Sequence, residues 1–425
     1  MQKGIACSAP LIMCIVLHLL AASGALFAQS PPSSYTVESL VGIALEKYEP
    51  LKTQEAKARH AAAAGRHLAE WYNPEIGFSA GRKTAGDASG RMFEASVSQR
   101  LSFPGKKGIM EEIALKEETR ARLGLDEMRL FIRYEVTRLA YEYAYHRQRA
   151  GHVRDRLDRL RLINTYMQGR IVISPEKRVE RRIIQSKIAL LEREVHRIGT
   201  DTKAAFARLN LYTALSADTL PEVRVRWFAR APQLNAAAVA ERARRDGFLV
   251  RDRREALEGA RKERKLAERG AYPDVDVSAF YSDEKTDVSE RSFGAGVSFP
   301  LPLFSRNRNA VEMGSQREKS EEHTLRHAER QVDEQVRELA ARYEYASAMV
   351  GKFAIDDIRD LEEAMRYTDV EFRRGRVTLA TFLEMDAQTH EMLEEIFRSQ
   401  LDLVNVYTSL LFLSAQEIAV EGDHP

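Results

Sequence analysis

Phe93-Glu94-Ala95-Ser96-Val97-Ser98 returns 200 residues further on as Phe293-Gly294-Ala295-Gly296-Val297-Ser298, and this pair of hexapeptides decides the fold. In each copy the apolar side chains stand at every second position, with small or polar residues between them. A period of two puts the apolar set on one face of an extended strand and the polar set on the other. The first copy runs on to Leu101, with Glu94, Ser96, Ser98, Arg100 and Ser102 opposite; the second runs through Phe299 to Leu301. Upstream, Asn73-Pro74-Glu75-Ile76-Gly77-Phe78-Ser79-Ala80 is echoed by Tyr272-Pro273-Asp274-Val275-Asp276-Val277-Ser278-Ala279. Downstream, Gly169-Arg170-Ile171 is echoed by Gly375-Arg376-Val377. Three echoes in one order at nearly constant separation describe a duplicated half. Strands are predicted over about 75–82 and 92–103, and again over about 274–282 and 292–301. The turn-rich stretches 83–90 and 282–287 are predicted as loops closing two hairpins.

The helices have a sharper rhythm. Val136, Leu139, Tyr143, His146, Ala150, Val153, Leu157 and Leu160 step by three and four, as do Val332, Val336, Leu339, Tyr343, Ala346, Val350 and Phe353. Ile184, Ile188, Leu191, Val195 and Ile198, and later Leu393, Phe397, Val404, Tyr407 and Leu411, continue the habit on returning helices. This sustained period implies left-handed coiled-coil packing. The stretches 106–167 and 307–372 contain no proline, so each is predicted as one helix of roughly 90–100 Å at about 1.5 Å per residue. Such lengths suit a tube or stalk.

Composition bounds the function. Sixty-five Lys and Arg against 63 Asp and Glu, a net charge of +2, remove the electrostatic case for nucleic acid. A mean hydropathy of −0.40 excludes a polytopic helical membrane protein but not a β-barrel, whose alternating strands disappear in an average. Lys3, the apolar run Leu11–Leu17 and the small residues Ala21–Ala25 predict a secretory signal peptide over 1–28, cleaved after Ala28 or alternatively after Ala25. Leu11-Ile12-Met13 does not prepare Cys14 for acylation, and removal of the peptide leaves no cysteine. The expected organisation is a first repeat over 29–215, an equatorial linker over 216–235, a second repeat over 236–416 and a tail over 417–425.

Strands of about ten residues with one apolar face suit a tilted transmembrane strand of roughly 9–11 residues. Four cannot close a barrel, whereas three copies supply twelve. Trp71, Tyr72, Phe103, Tyr272, Tyr281 and Phe304 are placed near strand ends, where interfacial girdles form. A soluble hairpin packed on helices is the plainer alternative.

Three segments make the resemblance specific: Asn73-Pro74-Glu75; Ser98-Gln99-Arg100-Leu101 with Gly105-Lys106-Lys107; and Phe299-Pro300-Leu301-Pro302-Leu303-Phe304-Ser305-Arg306-Asn307-Arg308. With the duplicated order of elements, the chain resembles the TolC-like outer-membrane factor family from about 36 to 416. The last segment is similar to the Pro-Leu-Phe-x-Arg-Asn pattern of the heavy-metal-efflux branch, although Asn309 and Ala310 stand where that branch has a glycine. The resemblance implies a mainly α chain with membrane β: long coiled-coil helices forming an α-helical barrel, and four strands per chain contributing to a trimeric twelve-stranded β-barrel. It implies a homotrimer in outer-membrane lipid, working with a periplasmic adaptor and an inner-membrane pump of the resistance–nodulation–division type. The implied function is a passive exit duct, with heavy-metal cations as cargo. A drug-efflux or type I protein-secretion duct, or an exported periplasmic coiled-coil structural or adaptor protein, are the alternatives.

On that reading Ile76, Phe78, Phe93, Ala95, Val97, Leu101, Val275, Val277, Phe293, Ala295, Val297 and Phe299 face lipid. The turns at Gly169, Arg170, Ile171 and Ser174, and at Gly375, Arg376, Val377, Thr378 and Leu379, form periplasmic tips that meet the adaptor. Ser174 and Thr378 can equally be simple helix caps. Arg170, Arg373, Arg374 and Arg376 gather positive charge at the tips, and many are expected to be paired, since free cations would repel cationic cargo. No catalytic constellation, cofactor motif or metal site emerges, so an enzyme is not expected. His323 and His327 are four apart on a helix, but charged neighbours mark a solvated face. Asp356, Asp357, Asp360, Glu362 and Glu363 read as a wet face as well.

Overall fold

Paired strands and long helices alternate twice along the chain because the two residue periods alternate twice. The computed structural model describes residues 34–85, 87–168, 174–215, 220–285, 289–304 and 306–418. Its elements are β1 (Ser34–Thr36), α1 (Val37–Lys47), α2 (Glu49–Ala69), β2 (Glu75–Ala85), β3 (Ala88–Leu101), α3 (Lys106–Gln168), α4 (Pro175–Thr213) and β4 (Glu222–Arg224), then α5 (Ala236–Asp246), α6 (Phe248–Arg269), β5 (Val275–Lys285), β6 (Ser289–Ser298), α7 (Arg308–Lys352), α8 (Asp357–Arg373) and α9 (Leu379–Leu413). The predicted leader lies outside the described residues. No helix among the described residues is long and apolar enough to cross a membrane.

The two hairpins join into one antiparallel sheet of order β2-β3-β5-β6. The inner pair, β3 and β5, come from different halves and match Arg91 to Lys285 through Leu101 to Val275. The loops expected at 83–90 and 282–287 are largely strand instead: β2 and β3 remain paired to Ala85↔Ala88, and β5 and β6 to Lys285↔Ser289. Polar side chains there carry no face signal, but the backbone ladder continues because each strand offers its neighbour unpaired N–H and C=O groups. β6 also stops at Ser298, short of the predicted 301.

The helix α3 spans 63 residues without a break, about 95 Å. Its seam residues Val136, Leu139, Tyr143, Ala150, Val153, Leu157 and Leu160 are buried. The matching stretch 307–372 is not one helix. It ends at Lys352 and restarts at Asp357. The last helical turn closes with Phe353 N–H donating to Met349 O (2.8 Å). Gly351 weakens the helix just before this point. The break turns Ile355 and Ile358 onto the main core, which contains Trp227 and Phe397. Asp357 and Asp360 then occupy the first turn of α8, where carboxylates favour the positive helix end.

The linker between halves is clamped rather than loose. β4 pairs in parallel with β1. The side chain of Gln400, fully buried, accepts from Phe228 N–H (3.0 Å) and donates to Phe228 O (2.7 Å). Tyr141 and Tyr143 donate their hydroxyls to Arg226 O and Pro221 O, each at 2.7 Å. Four backbone groups of the linker are thereby held, two against α3 and two against α9.

Each half turns from sheet to long helix through a residue in the left-handed region: Gly105 (φ 87°) before α3 and Asn307 (φ 58°) before α7. Asn307 also donates its side-chain N–H to Ala267 O (2.6 Å), tying the start of α7 to the end of α6. A left-handed conformation costs an L-residue other than Gly or Asn about 1–2 kcal/mol. Gly105→Ala is expected to lose roughly that much stability, whereas Gly108→Ala, on the open face of α3 with nothing within 4 Å, gains about 0.5–1 kcal/mol. Thermal unfolding of the two single variants checks the contrast.

Candidate functional site

The register fixes which side chains share a face of the sheet. Ile76↔Val97, Phe78↔Ala95, Ala80↔Phe93, Val97↔Ala279, Ala95↔Tyr281, Leu101↔Val275, Val277↔Val297, Ala279↔Ala295 and Tyr281↔Phe293 are all direct cross-strand pairs. Eleven of the twelve residues predicted on the apolar face therefore lie together within the strands; Phe299 follows one residue after the end of β6. The large ones stay exposed, Phe293 at 88% and Phe78 at 73%. From Leu101 to Phe93 the strand covers about 27 Å, or about 20 Å across a barrel wall tilted by roughly 40°. The opposite face carries Glu75, Glu94, Ser96, Ser98, Asp276 and Ser278, with Arg100 donating to Asp276 Oδ1 (3.1 Å). Phe280 and Met92 are large apolar residues there; Phe280 packs over Gly294, where a Cβ would come within 2.6 Å of its ring.

Aromatic side chains ring the base of the sheet. Phe103 and Tyr272 stack at 4.7 Å, and the Lys107 ammonium sits 4.0 Å from the centre of the Trp71 ring. Lys106 reaches Asp274 Oδ1 (2.9 Å) and Tyr272 O (2.7 Å), fixing the start of α3 to the entrance of β5. Tyr281 is not at a strand end as predicted. Because β5 runs on to Lys285, it lies inside the strand opposite Phe293.

At the far end the structure gathers the second predicted turn and the flanks of the first. Gly169, Arg170 and Ile171 lie outside the described residues. Tyr166, Met167, Glu176, Lys177, Glu180 and Arg181 from α3 and α4 share one cleft of about 370 Å³ with Phe372, Gly375, Arg376, Val377, Thr378 and Leu379. Gly375 is left-handed (φ 76°), which the reversal from α8 to α9 requires. Ser174 accepts from Lys177 N–H and Thr378 from Thr381 N–H, both at 3.2 Å, so both are helix caps. Leu379 is buried against Met365 and Phe382, within the core of the helix ends rather than on their surface.

Arg373, Arg374 and Arg376, the tip arginines among the described residues, are paired. Arg374 and Arg376 donate to the two oxygens of Glu371 at 2.9 and 3.1 Å, and Arg373 pairs with Asp369. Glu371 has a side chain only 7% exposed, and no local pattern in the sequence marks it as the partner of these arginines. Further along the tube Arg156 donates to Asp386 Oδ2 (2.6 Å), joining α3 to α9. Asp386 and Thr389 stand at seam positions between Phe382 and Leu393. A polar residue in a heptad seam was the signal that could have found them.

Burial lowers the pKa of three histidines near this seam. His146 faces Glu142, Asp201, Arg149 and Arg208; His152 faces Glu362, Asp155 and Arg159; His390 faces Arg156, Glu394, Glu194 and Asp386. A histidine whose folded pKa is depressed takes up protons in the unfolded chain first. Stability present above about pH 6.5 is therefore lost as pH falls below it. The melting temperature is expected to drop between pH 7.5 and 5.5, and a His146→Gln/His152→Gln/His390→Gln variant to drop less. Circular dichroism at both pH values checks the sign. Among the described residues no three His, Cys, Asp or Glu side chains are grouped to hold a metal ion.

Comparison with known proteins agrees with this architecture. The family model described as "Outer membrane efflux protein" matches residues 239–415. No curated protein matches the chain. Among solved structures, CusC covers 88% of this chain and 91% of its own at 13% identity with a TM-score of 0.66. The MtrE outer membrane channel of Neisseria gonorrhoeae covers 90% and 89% at 13% identity with a TM-score of 0.71. The outer membrane protein VceC of Vibrio cholerae covers 90% and 97% at 14% identity with a TM-score of 0.70. At these identities the likeness is one of fold.

Proposed function

We propose that this chain, whose residues 239–415 match the outer membrane efflux protein model, is a TolC-like outer membrane efflux protein and forms the passive exit duct of a tripartite efflux system. Three copies close one barrel in the outer membrane and one helical tube in the periplasm. The observation that carries this reading is the sheet itself: four antiparallel strands, one apolar exposed face, and β2 and β6 each with a single neighbour. β6 runs opposite to β2, so β6 of one copy pairs antiparallel with β2 of the next, and twelve strands close without an edge. The apolar face then meets lipid and the polar face lines the pore. On α4, Val179, Ile183 and Leu190 are exposed at coiled-coil spacing, a stripe that a neighbouring copy covers.

At the tips Gly169, Arg170, Ile171, Ser174, Gly375, Arg376, Val377 and Thr378 meet the hairpins of a periplasmic adaptor, through which an inner-membrane pump delivers cargo. The duct performs no chemistry. Heavy-metal cations are the proposed cargo, supported by the Pro302-Leu303-Phe304-Ser305-Arg306-Asn307 segment. Deletion of the gene is expected to sensitise the cell to divalent transition metals while leaving dye resistance unchanged. Sensitisation to dyes alone would reassign the cargo to drugs.

A further inference from the structure

On the apolar face of the sheet, the residues just beyond the belt are cations set directly against one another. Arg82 pairs with Arg91 across β2 and β3, and Arg91 pairs with Lys285 across β3 and β5. All three side chains are exposed. Like charges at directly opposed positions repel and destabilise a sheet unless something neutralises them. At the same height on the other face the cation is matched within the chain: Lys83 pairs with Glu284, which also stands opposite Glu290. On the apolar face the only such pair among the described residues is Arg291 with Asp283, at 3.9 Å. Arg82, Arg91 and Lys285 have no acidic partner among the described residues.

Their height is as informative as their charge. Arg91 stands two positions before Phe93 on the same face, about 7 Å nearer the hairpin end of the strand. Arg82 likewise lies two positions nearer that end than Ala80, and Lys285 stands two beyond Asp283. The row therefore begins where the apolar belt ends, on the side away from the helices. Ser289, opposite Lys285 in the same row, and Thr84 and Ser89, further out on the same face, add hydroxyl donors. A row of guanidinium and ammonium groups with hydroxyls, immediately above hydrocarbon depth, is the donor set for phosphate at a headgroup.

We propose that Arg82, Arg91 and Lys285 form a binding site for the phosphate groups of an outer-leaflet anionic lipid, one site per chain and three around the barrel. The proposal rests on the reading of the sheet as a membrane barrel. Bound phosphate offsets the repulsion across β2, β3 and β5, so the lipid is part of what holds the upper barrel together.

The test uses full-length trimer in detergent, offered diphosphorylated lipid A or the same lipid stripped of phosphate, with retained lipid counted by native mass spectrometry. Wild-type protein is expected to retain the phosphorylated lipid at least about tenfold better. Arg82→Gln/Arg91→Gln/Lys285→Gln should lose that preference while remaining a conducting trimer. Lys83→Gln, at the same height on the other face, should keep it. Equal retention of both lipids by the wild type, or an unchanged preference in the triple variant, would overturn the proposal. So would displacement of the lipid by millimolar inorganic phosphate, which would make the site one for free anions. Conductance in planar bilayers separates the two readings: a wild type that conducts but shows no lipid preference refutes the lipid site alone. One that neither trimerises nor conducts removes the barrel and the site with it.

Discussion

Val97→Arg is expected to cost roughly 2–4 kcal/mol per chain, the penalty for a guanidinium on the lipid face of a barrel near the bilayer midplane. Val97 lies between Ile76 and Ala279 in register, in the middle of the apolar belt. With three chains the cost is paid three times around the ring, so loss of heat-resistant trimer in the membrane fraction is the expected readout. Ser98→Arg, one residue away, faces the pore and stands opposite Glu75 and Ser278. It is expected to stay within about 0.5 kcal/mol of the parent. The contrast between adjacent positions is the point. If both variants assemble equally well, or Ser98→Arg is the worse, the two faces have been assigned the wrong way round.

Asp386→Ala is expected to be the most damaging change in the helical tube. Asp386 has a fully buried side chain, and its partner Arg156 is only 12% exposed. Arg159 approaches the other oxygen at 3.7 Å. Removing one member of a buried pair strands the other charge, at a cost of about 3–5 kcal/mol. Replacing both members with apolar residues removes the stranded charge, so Asp386→Leu/Arg156→Met should recover most of the loss. Thermal unfolding of the single and double variants distinguishes a stranded charge from a simple packing defect, which the double variant would deepen.

The strands were legible because their period of two is strict and repeated: Phe93, Ala95 and Val97 return as Phe293, Ala295 and Val297 with the same phase. Phase alone placed eleven residues on one face, and the register agrees. Strand ends were less legible, since Lys83, Arg91, Glu284 and Arg291 look like turn residues and are held in the ladder only by their neighbours' backbones. The break between α7 and α8 was missed for a related reason. Without proline, the signals are Gly351 and the carboxylates at 356, 357 and 360, which are exposed as a wet face requires and also open a helix. Tertiary packing of Ile355 and Ile358 completes the break and leaves no local trace in the sequence.

At the tips, glycine and arginine were visible as residue types, but Glu371 was not. Its role comes from being buried beneath Arg374 and Arg376, a fact of three dimensions. Asn307 illustrates the opposite case. The Arg306-Asn307 pair carries a family pattern, and the structure supplies its physics: Asn307 makes a left-handed turn that only a few residues adopt cheaply, fixed by a bond to the end of α6.

Three copies of this chain are proposed to enclose one continuous pore. Reconstitution of purified full-length protein into a planar bilayer tests this most directly. Stepwise ion conductance is expected from a species whose protein mass equals three chains. A water-soluble, elongated monomer that leaves the bilayer silent would contradict it.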